Sequence, residues 1–199
     1  MYQFAETPGV TGAPLVLTFH GTGGSAAQFH GLARDLVPQA HVISPQGDVS
    51  EGGAARFFRR TGEGVYDMDD LARRAAAMRQ FVTDAVDRLA PSAVFGLGYS
   101  NGANILATVM MDGPRLFDRA ALLHPLIPWQ PAPNPAVAGT RVLITAGRRD
   151  PICPPAQTQA LAGSLSAMSA DVDLRWHEGG HEIAAMEIDA LRDLLATDH

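Results

Sequence analysis

The sequence contains one cysteine, Cys153, so an intramolecular disulfide cannot form. The disulfide framework that stabilises many small secreted domains is therefore excluded. Clusters of positive charge are missing as well, since the 15 basic residues, all of them arginines, are outnumbered by 21 aspartates and glutamates and form no long run. Because binding to a phosphate backbone needs clustered Lys and Arg, we expect no nucleic-acid partner.

Long apolar segments are also absent, and the longest, near residue 120, falls far short of the ~18 to 20 residues that a membrane-spanning helix needs. The first residues, MYQFAETPGV, have neither the basic nor the apolar region of a signal peptide. We therefore expect a cytoplasmic protein with no membrane association. With 199 residues the chain fits one domain, residues 1–199, and a homodimer is compatible with the sequence.

Short apolar segments alternate with amphipathic segments along the chain. Strands are expected at 15–19, 41–44, 93–97, 119–124, 141–145 and 172–176. Helices are expected at 25–37, 67–90, 102–111, 155–168 and 183–196, with Ser25 as the N-cap of the first. This alternation predicts an α/β fold, a mainly parallel sheet with helices on both faces. The irregular, glycine-rich stretch 45–66 is long enough to suggest a functional loop.

The segment Gly98-Tyr99-Ser100-Asn101-Gly102 follows a predicted strand and precedes a predicted helix. In this setting the G-x-S-x-G pattern forms a nucleophile elbow, a strained turn that exposes the serine hydroxyl. Glycines are required because side chains at the flanking positions would collide with the neighbouring strand and helix. The pentapeptide alone is a weak signal, but its placement makes Ser100 a candidate nucleophile.

A serine hydroxyl needs a histidine base and a carboxylate that orients the base. Asp150 lies shortly after the strand 141–145, and His181 lies after the last predicted strand, in a glycine-containing loop. The chain order Ser, Asp, His is the one expected with this elbow. Asp150 taken alone is equally well explained as a turn residue before Pro151. The coincidence of all three favours a triad of Ser100, His181 and Asp150.

The motif HGTGG, residues 20–24, follows the first predicted strand, where an oxyanion hole would receive one of its donors. We expect the donors to be the backbone N–H groups of Thr22 and Asn101. A phosphate-binding loop is the alternative, but the motif lacks the G-x-G-x-x-G spacing and the Lys-Ser/Thr ending. His20 either braces this loop by hydrogen bonding or is a structural histidine. The histidines show no zinc-ligand spacing, so no metal is expected.

The motifs HGTGG, GYSNGAN, AGRRDPICP and GGHEI resemble the phospholipase/carboxylesterase family of α/β-hydrolases, which includes acyl-protein thioesterases. The resemblance covers essentially the whole chain, and RFFRR and LLHPLIP are most similar to a subgroup of small bacterial carboxylesterases. It implies an α/β-hydrolase fold without a large cap domain. It also implies a hydrolase that needs no cofactor and acts on a small-molecule ester or thioester.

Because no inserted cap domain is visible, the expected pocket walls are the loop that carries RFFRR, residues 56–60, and the proline-rich connection 124–139. Phe57 and Phe58 would supply an apolar surface, and Arg59 and Arg60 would attract an ester that carries a carboxylate. The alternative is that the phenylalanines enter the core and the arginines pair with the acidic start of the next helix.

Two further residues have open roles. His124 follows a predicted strand and either borders the pocket or serves in the core or a turn. Cys153 lies near the candidate triad and is better explained as a small buried residue than as a second nucleophile. A ligand-binding or sensor protein built on the same fold is the competing functional hypothesis, because a fold alone does not fix turnover.

Overall fold

The computed structural model describes residues 2–196. The strands are β1 (Phe4–Thr7), β2 (Leu15–Phe19), β3 (His41–Pro45), β4 (Val49–Glu51), β5 (Ala54–Arg56), β6 (Arg60–Gly62), β7 (Val65–Tyr66), β8 (Val94–Tyr99), β9 (Arg119–Leu123), β10 (Arg141–Gly147) and β11 (Asp171–His177). The helices are α1 (His30–Leu36), α2 (Met68–Leu89), α3 (Asn101–Met111), α4 (Pro155–Ala167) and α5 (Ala185–Leu195), and a 3-10 turn spans Pro135–Val137.

Within the described residues, seven strands form one sheet in the order β1-β3-β2-β8-β9-β10-β11. All neighbours pair in parallel except β1, which runs antiparallel to β3 at one edge. Every residue of β2 and β3 is buried, because helices cover both faces. The core on one face includes residues of α2, α3 and α4, and the core on the other includes residues of α1 and α5. The predicted mainly parallel sheet between two helical layers is confirmed.

Helix α2 shows how the sequence specifies its own boundaries. The Asp67 side chain accepts a hydrogen bond from the backbone N–H of Asp70 at 3.0 Å, which caps the first turn. Ala90 then adopts a left-handed conformation with φ 42°, one residue before Pro91. Apolar side chains at helical spacing between these ends are buried in the core, as the periodicity predicts.

The first helix begins later than predicted. Ser25 does not cap it, because its hydroxyl accepts from the N–H of Ala27 and its carbonyl accepts from the N–H of Gln28, which forms a separate turn. α1 therefore begins at His30. The predicted loop 45–66 also contains two short hairpins, β4–β5 and β6–β7, which lie apart from the main sheet.

No helix within residues 2–196 combines the length and the apolar character needed to cross a bilayer. In the same range no insertion is large enough to form a cap domain over the sheet. The carboxyl ends of the parallel strands are therefore covered only by loops and the two short hairpins, and this is where a ligand site is expected in such a sheet.

Candidate active site

The turn between β8 and α3 places Ser100 at the carboxyl edge of the sheet. Ser100 has φ 52° and ψ −117°, a conformation that L-residues adopt only under constraint. A Cβ at Gly98 would lie 2.6 Å from the carbonyl oxygen of Gly102, and one at Gly102 would lie 2.5 Å from the carbonyl oxygen of His20. Both glycines are therefore required by close backbone contacts, as the elbow motif predicts.

Asp150 and His181 reach Ser100 from two separate loops. The Ser100 hydroxyl donates to His181 Nε2 at 2.9 Å, and His181 Nδ1–H donates to Asp150 Oδ2 at 2.7 Å. Asp150 Oδ1 accepts the backbone N–H groups of Ile152 and Cys153 at 2.8 and 3.0 Å. This chain of hydrogen bonds gives His181 the tautomer whose Nε2 lone pair faces the serine hydroxyl.

The loop that carries His181 is held by its backbone. The Tyr99 hydroxyl donates to the His181 carbonyl oxygen at 2.7 Å, and burial raises the pKa of Tyr99 to about 12, so that the hydroxyl keeps its proton. A side chain at Gly147 would collide with the backbone of residues 179–180, which passes directly over it. The two contacts fix the imidazole above the sheet edge.

The HGTGG loop is braced by His20. Its Nδ1–H donates to the carbonyl oxygen of Gly21 at 2.7 Å, and its Nε2 accepts the N–H of Gly47 at 2.9 Å. Burial lowers the pKa of His20, which favours the neutral ring that this pair of bonds requires. Of the two roles considered for this histidine, the structure supports the brace.

Thr22 and Asn101 line the same pocket as Ser100. Within residues 2–196, no hydrogen bond uses the N–H of Thr22, whereas the N–H groups of Gly21 and Gly23 are both occupied inside the protein. Asn101 is the first residue of α3, where N–H groups have no partner within the helix and the helix dipole favours negative charge. The geometry suits two backbone donors for an oxyanion.

The pocket over Ser100 has a volume of about 290 Å³. Its lining residues are Thr22, Arg56, Arg60, Glu63, Gly64, Tyr66, Tyr99, Ser100, Asn101, Asn104, Leu126, Ile152, Cys153 and His181. Burial raises the pKa of the Cys153 thiol, which donates to the His124 carbonyl oxygen at 3.3 Å. Cys153 is thus held as a thiol and not as a reactive thiolate.

Three residues of the predicted RFFRR wall, Phe57, Phe58 and Arg59, do not line the pocket. Phe57 and Phe58 are fully buried in the core, because the Asn101 side chain accepts the Phe57 N–H at 2.7 Å and draws this part of the chain under the elbow. Arg59 is exposed, and its backbone N–H donates to the Asp70 carboxylate at 2.8 Å. The core alternative is therefore correct for both phenylalanines.

Arg60 lies in the pocket, as predicted, and so does Arg56, the first arginine of the RFFRR segment. Arg60 forms an ion pair with Glu51 at 2.9 Å, and Arg56 approaches the same carboxylate at 3.2 Å. Arg56 also donates to the Thr22 hydroxyl at 2.7 Å and is 3% exposed. The alternative, in which the arginines pair with the acidic start of α2, is wrong for Arg56 and Arg60, because both pair with Glu51 in the hairpins.

Tyr66 and Asn104 also line the pocket, although the sequence analysis assigned them no role. The Asn104 amide donates to the Tyr66 hydroxyl at 2.8 Å and accepts the backbone N–H of Leu126 at 2.7 Å, which joins α3 to two pocket loops. The sequence could have indicated Asn104, because it lies four residues after Ser100 and therefore one helical turn further along the same face. No comparable signal marks Tyr66.

His124 does not border the pocket. It is fully buried behind the candidate triad, and its Nδ1 lies 2.9 Å from Asp150 Oδ2. Its Nε2 faces the buried carboxylate of Glu187 at 3.2 Å. Glu187 has no sequence-based role, although a glutamate four residues before Leu191 on the apolar face of the last helix is unusual and could have been noticed.

The nitrogens of His124 and His177 and the carboxylate of Glu187 lie close enough to be considered as metal ligands. The N–H of Gly179 donates to His177 Nδ1 at 3.1 Å, so the proton of a neutral His177 ring is on Nε2. That nitrogen is the one that faces the cluster, and a protonated nitrogen cannot coordinate a metal. The cluster is therefore better explained by hydrogen bonds.

Residues 13–189 match the dienelactone hydrolase family. The chain is 34% identical over 181 residues to the putative hydrolase MhqD of Bacillus subtilis, and the match covers 90% of each protein. A protein of unknown function from Agrobacterium tumefaciens is 55% identical, with a TM-score of 0.94 over 98% of this chain and 95% of that one. A carboxylesterase from Bacillus cereus is 33% identical, with a TM-score of 0.90 over 98% and 93%.

Proposed function

Because the chain belongs to the dienelactone hydrolase family, we propose that it is a serine hydrolase whose catalytic triad is Ser100, His181 and Asp150. The protein has the α/β-hydrolase fold and is a hydrolase of the esterase type. The resemblance to α/β-hydrolase esterases that the sequence motifs indicated is confirmed. The residues, the mechanism and the substrate are what we propose beyond this.

In the proposed mechanism Ser100 Oγ attacks the ester carbonyl carbon while His181 Nε2 accepts the hydroxyl proton. The carbonyl oxygen becomes an oxyanion that accepts the N–H groups of Thr22 and Asn101. His181 then donates its proton to the leaving alcohol or thiol, and the acyl group remains on Ser100. Water, deprotonated by His181, attacks the acyl-enzyme and releases the acid, which restores the serine. Asp150 stays ionised and orients the imidazole throughout.

The observation that carries this proposal is the unbroken chain of hydrogen bonds from Ser100 through His181 to Asp150, at 2.9 and 2.7 Å, with the serine facing a pocket. Burial works against the charged form of Asp150. Hydrogen bonds from His124, His181 and two backbone N–H groups outweigh it and hold the pKa of this carboxyl below its usual value. An ionised Asp150 is what the mechanism needs.

A pocket of about 290 Å³ supports a compact substrate better than a long acyl chain. Leu126 and Ile152 supply apolar surface, and the Arg60 side chain is held in place by Glu51 and is 27% exposed. Arg56 and Arg60 both pair with Glu51, and Glu63 is a further carboxylate on the pocket wall. We therefore propose small carboxylic esters, with thioesters also accepted, and a preference for those that carry a carboxylate.

The first experiment is intact-mass analysis of the protein after exposure to a fluorophosphonate, which phosphonylates activated serines. We expect one adduct on the wild-type chain and none on Ser100→Ala. A panel of short esters and thioesters then tests turnover. No adduct and no turnover would remove the triad and favour the ligand-binding or sensor alternative.

The second experiment compares Arg60→Ala with Arg59→Ala, a control that removes an arginine outside the pocket. Arg60→Ala should raise KM about two- to fivefold for a carboxylate-bearing ester and leave a neutral ester of equal length unaffected. This is the fold-change expected for one partly exposed ion pair. If both variants give the same ratio of anionic to neutral turnover, the preference for a carboxylate is wrong.

A further inference from the structure

A buried histidine and a buried glutamate continue the candidate triad on its far side. Asp150 Oδ2 accepts Nδ1–H of His181 at 2.7 Å and Nδ1–H of His124 at 2.9 Å. The opposite ring nitrogen of His124 lies 3.2 Å from the carboxylate of Glu187. The side chains of Asp150, His124 and Glu187 have no exposed surface. The proposed mechanism as stated uses neither His124 nor Glu187.

The hydrogen bonds around Glu187 indicate that it is ionised. Its carboxylate accepts the Thr145 hydroxyl in a short hydrogen bond and the backbone N–H of Ala184 at 2.6 Å. Nε2 of His177, which carries that ring's proton, lies 3.5 Å from the same carboxylate. His124 Nε2 completes a set of four groups around the two oxygens. Burial favours the protonated form, but the hydrogen bonds to this carboxylate outweigh it and hold the pKa of Glu187 below its usual value.

His124 must then be charged. Its Nδ1 carries a proton because it faces the carboxylate of Asp150. Its Nε2 must carry one too, because a lone pair 3.2 Å from an ionised carboxylate would be repelled. Burial alone would lower the pKa of His124, but the hydrogen bonds from its ring to Glu187 and Asp150 reverse this and raise the pKa.

The other titratable groups that face His124 do not oppose this charge. They are His177, His181, Tyr99 and Cys153, and the last two keep their protons, because burial raises the pKa of both hydroxyl and thiol. His177 Nε2 lies 3.5 Å from His124 Nε2, and the Glu187 carboxylate, within 3.5 Å of both nitrogens, is the acceptor for both N–H groups. Asp150, His124 and Glu187 together carry one negative charge, which a protonated His181 would neutralise during the reaction.

We propose that His124 is a positioning residue, a buried imidazolium held by Glu187, that fixes the Asp150 carboxylate against Nδ1–H of His181. The inference rests on the proposed triad. With His124 and His181 on one oxygen and two backbone N–H groups on the other, the carboxylate of Asp150 has four donors and cannot rotate without losing them. A fixed carboxylate holds the base in the orientation that catalysis requires.

The charge on His124 can be measured by NMR, without an activity assay. In protein labelled with ¹⁵N-histidine, both ring nitrogens of His124 should be protonated at pH 8, with the signals assigned from their loss in His124→Asn. In Glu187→Gln the second proton should be lost at the same pH. Glu178→Gln, which removes an exposed carboxylate, is the matched control and should leave both protons in place. A neutral His124 in the wild type, or an unchanged one in Glu187→Gln, overturns the proposal.

Positioning is tested by two substitutions at His124. The Asn amide can place its N–H where Nδ1 lies and so keep the donor to Asp150, whereas Leu keeps only the bulk. His124→Leu should lower kcat about 10- to 100-fold, the fold-change that corresponds to one hydrogen bond to a charged group, with KM nearly unchanged. His124→Asn should recover most of this loss.

Equal losses in the two variants at matched thermal stability, or an effect on KM alone, would contradict the positioning role. If the wild-type chain neither reacts with the fluorophosphonate nor hydrolyses any ester, the proposed function fails, and the spectra still decide the charge of His124. If both variants at this position fail to fold, the His124 signals are assigned from nuclear Overhauser contacts to the rings of Tyr99 and His181, and the wild-type and Glu187→Gln spectra decide the matter.

Discussion

Replacing Asp150 by asparagine exchanges one carboxylate oxygen for an NH₂ group. Two pairs of N–H donors then compete for the one oxygen that remains. One carboxylate oxygen accepts Nδ1–H from both His181 and His124, and the other accepts the backbone N–H groups of Ile152 and Cys153. An amide has one oxygen and one NH₂ group, so it satisfies one pair and presents donors to the other. The backbone pair cannot rearrange, and the histidines can change tautomer.

We therefore expect the NH₂ group to face the histidines and to force the proton of His181 onto Nε2, the nitrogen that should accept the Ser100 proton. The wrong tautomer at a triad histidine lowers kcat by ~10³ to 10⁴, about 4 to 5 kcal/mol of transition-state stabilisation. One unsatisfied buried donor costs about 1 to 3 kcal/mol of folding free energy. A domain stable by about 5 to 15 kcal/mol remains folded after that loss.

The assay is the turnover of a short ester by Asp150→Asn, with the folded fraction measured by thermal unfolding in the same buffer. Asp173→Asn is the matched control, because it neutralises a carboxylate with a half-exposed side chain on β11. We expect the control to keep wild-type kcat. If Asp150→Asn turns over at a rate within tenfold of wild type, Asp150 does not orient His181 and the triad assignment is wrong.

Three further predictions follow from the elbow and the oxyanion loop. Thr22→Ala should keep activity within about tenfold, because its backbone donor remains and only the hydroxyl that accepts from Arg56 is lost; a loss as large as that of Ser100→Ala would show a missed role. Gly102→Ala should lose activity and about 3 kcal/mol of stability, because the new Cβ would collide with the backbone at the end of β2. The control Gly163→Ala places its Cβ in open space on α4 and should gain about 0.5 to 1 kcal/mol of stability, both measured by thermal unfolding. Burial lowers the pKa of His20, so the stability that the neutral ring contributes is present above the pKa of the unfolded state and is lost as the pH falls. The melting temperature of the wild type should therefore fall more between pH 7.5 and pH 5.5 than that of His20→Gln. Equal losses would contradict this.

The sheet, the elbow and the spatial grouping of the candidate triad could be predicted because each has a local signal. Apolar strands, the G-x-S-x-G turn and the positions of Asp150 and His181 after later strands are all visible in short windows of sequence. Parallel strands bring their carboxyl ends to one edge. The topology then supplies the proximity that the sequence cannot measure.

The orientation of Phe57 and Phe58 could not be predicted in this way. They lie between two hairpins whose strands are only two or three residues long. Neither the helical nor the strand period applies there, so no pattern indicates which side chains face the core. What buries them is a hydrogen bond from the Phe57 N–H to Asn101, far along the chain. The role of Glu187 could not be predicted for a related reason, since its partners come from other parts of the chain, including β10 and the loop after β9.

The conformation of Ser100 limits how stable this protein can become. Left-handed backbone at a residue other than glycine costs about 1 to 3 kcal/mol, and both Ser100 and His124, at the ends of neighbouring strands, adopt it. A glycine at either position would relieve that strain and remove a side chain on which the proposed chemistry depends. Selection for heat tolerance alone would therefore drive the chain toward inactive sequences, and a thermostable working variant has to gain its stability elsewhere in the fold.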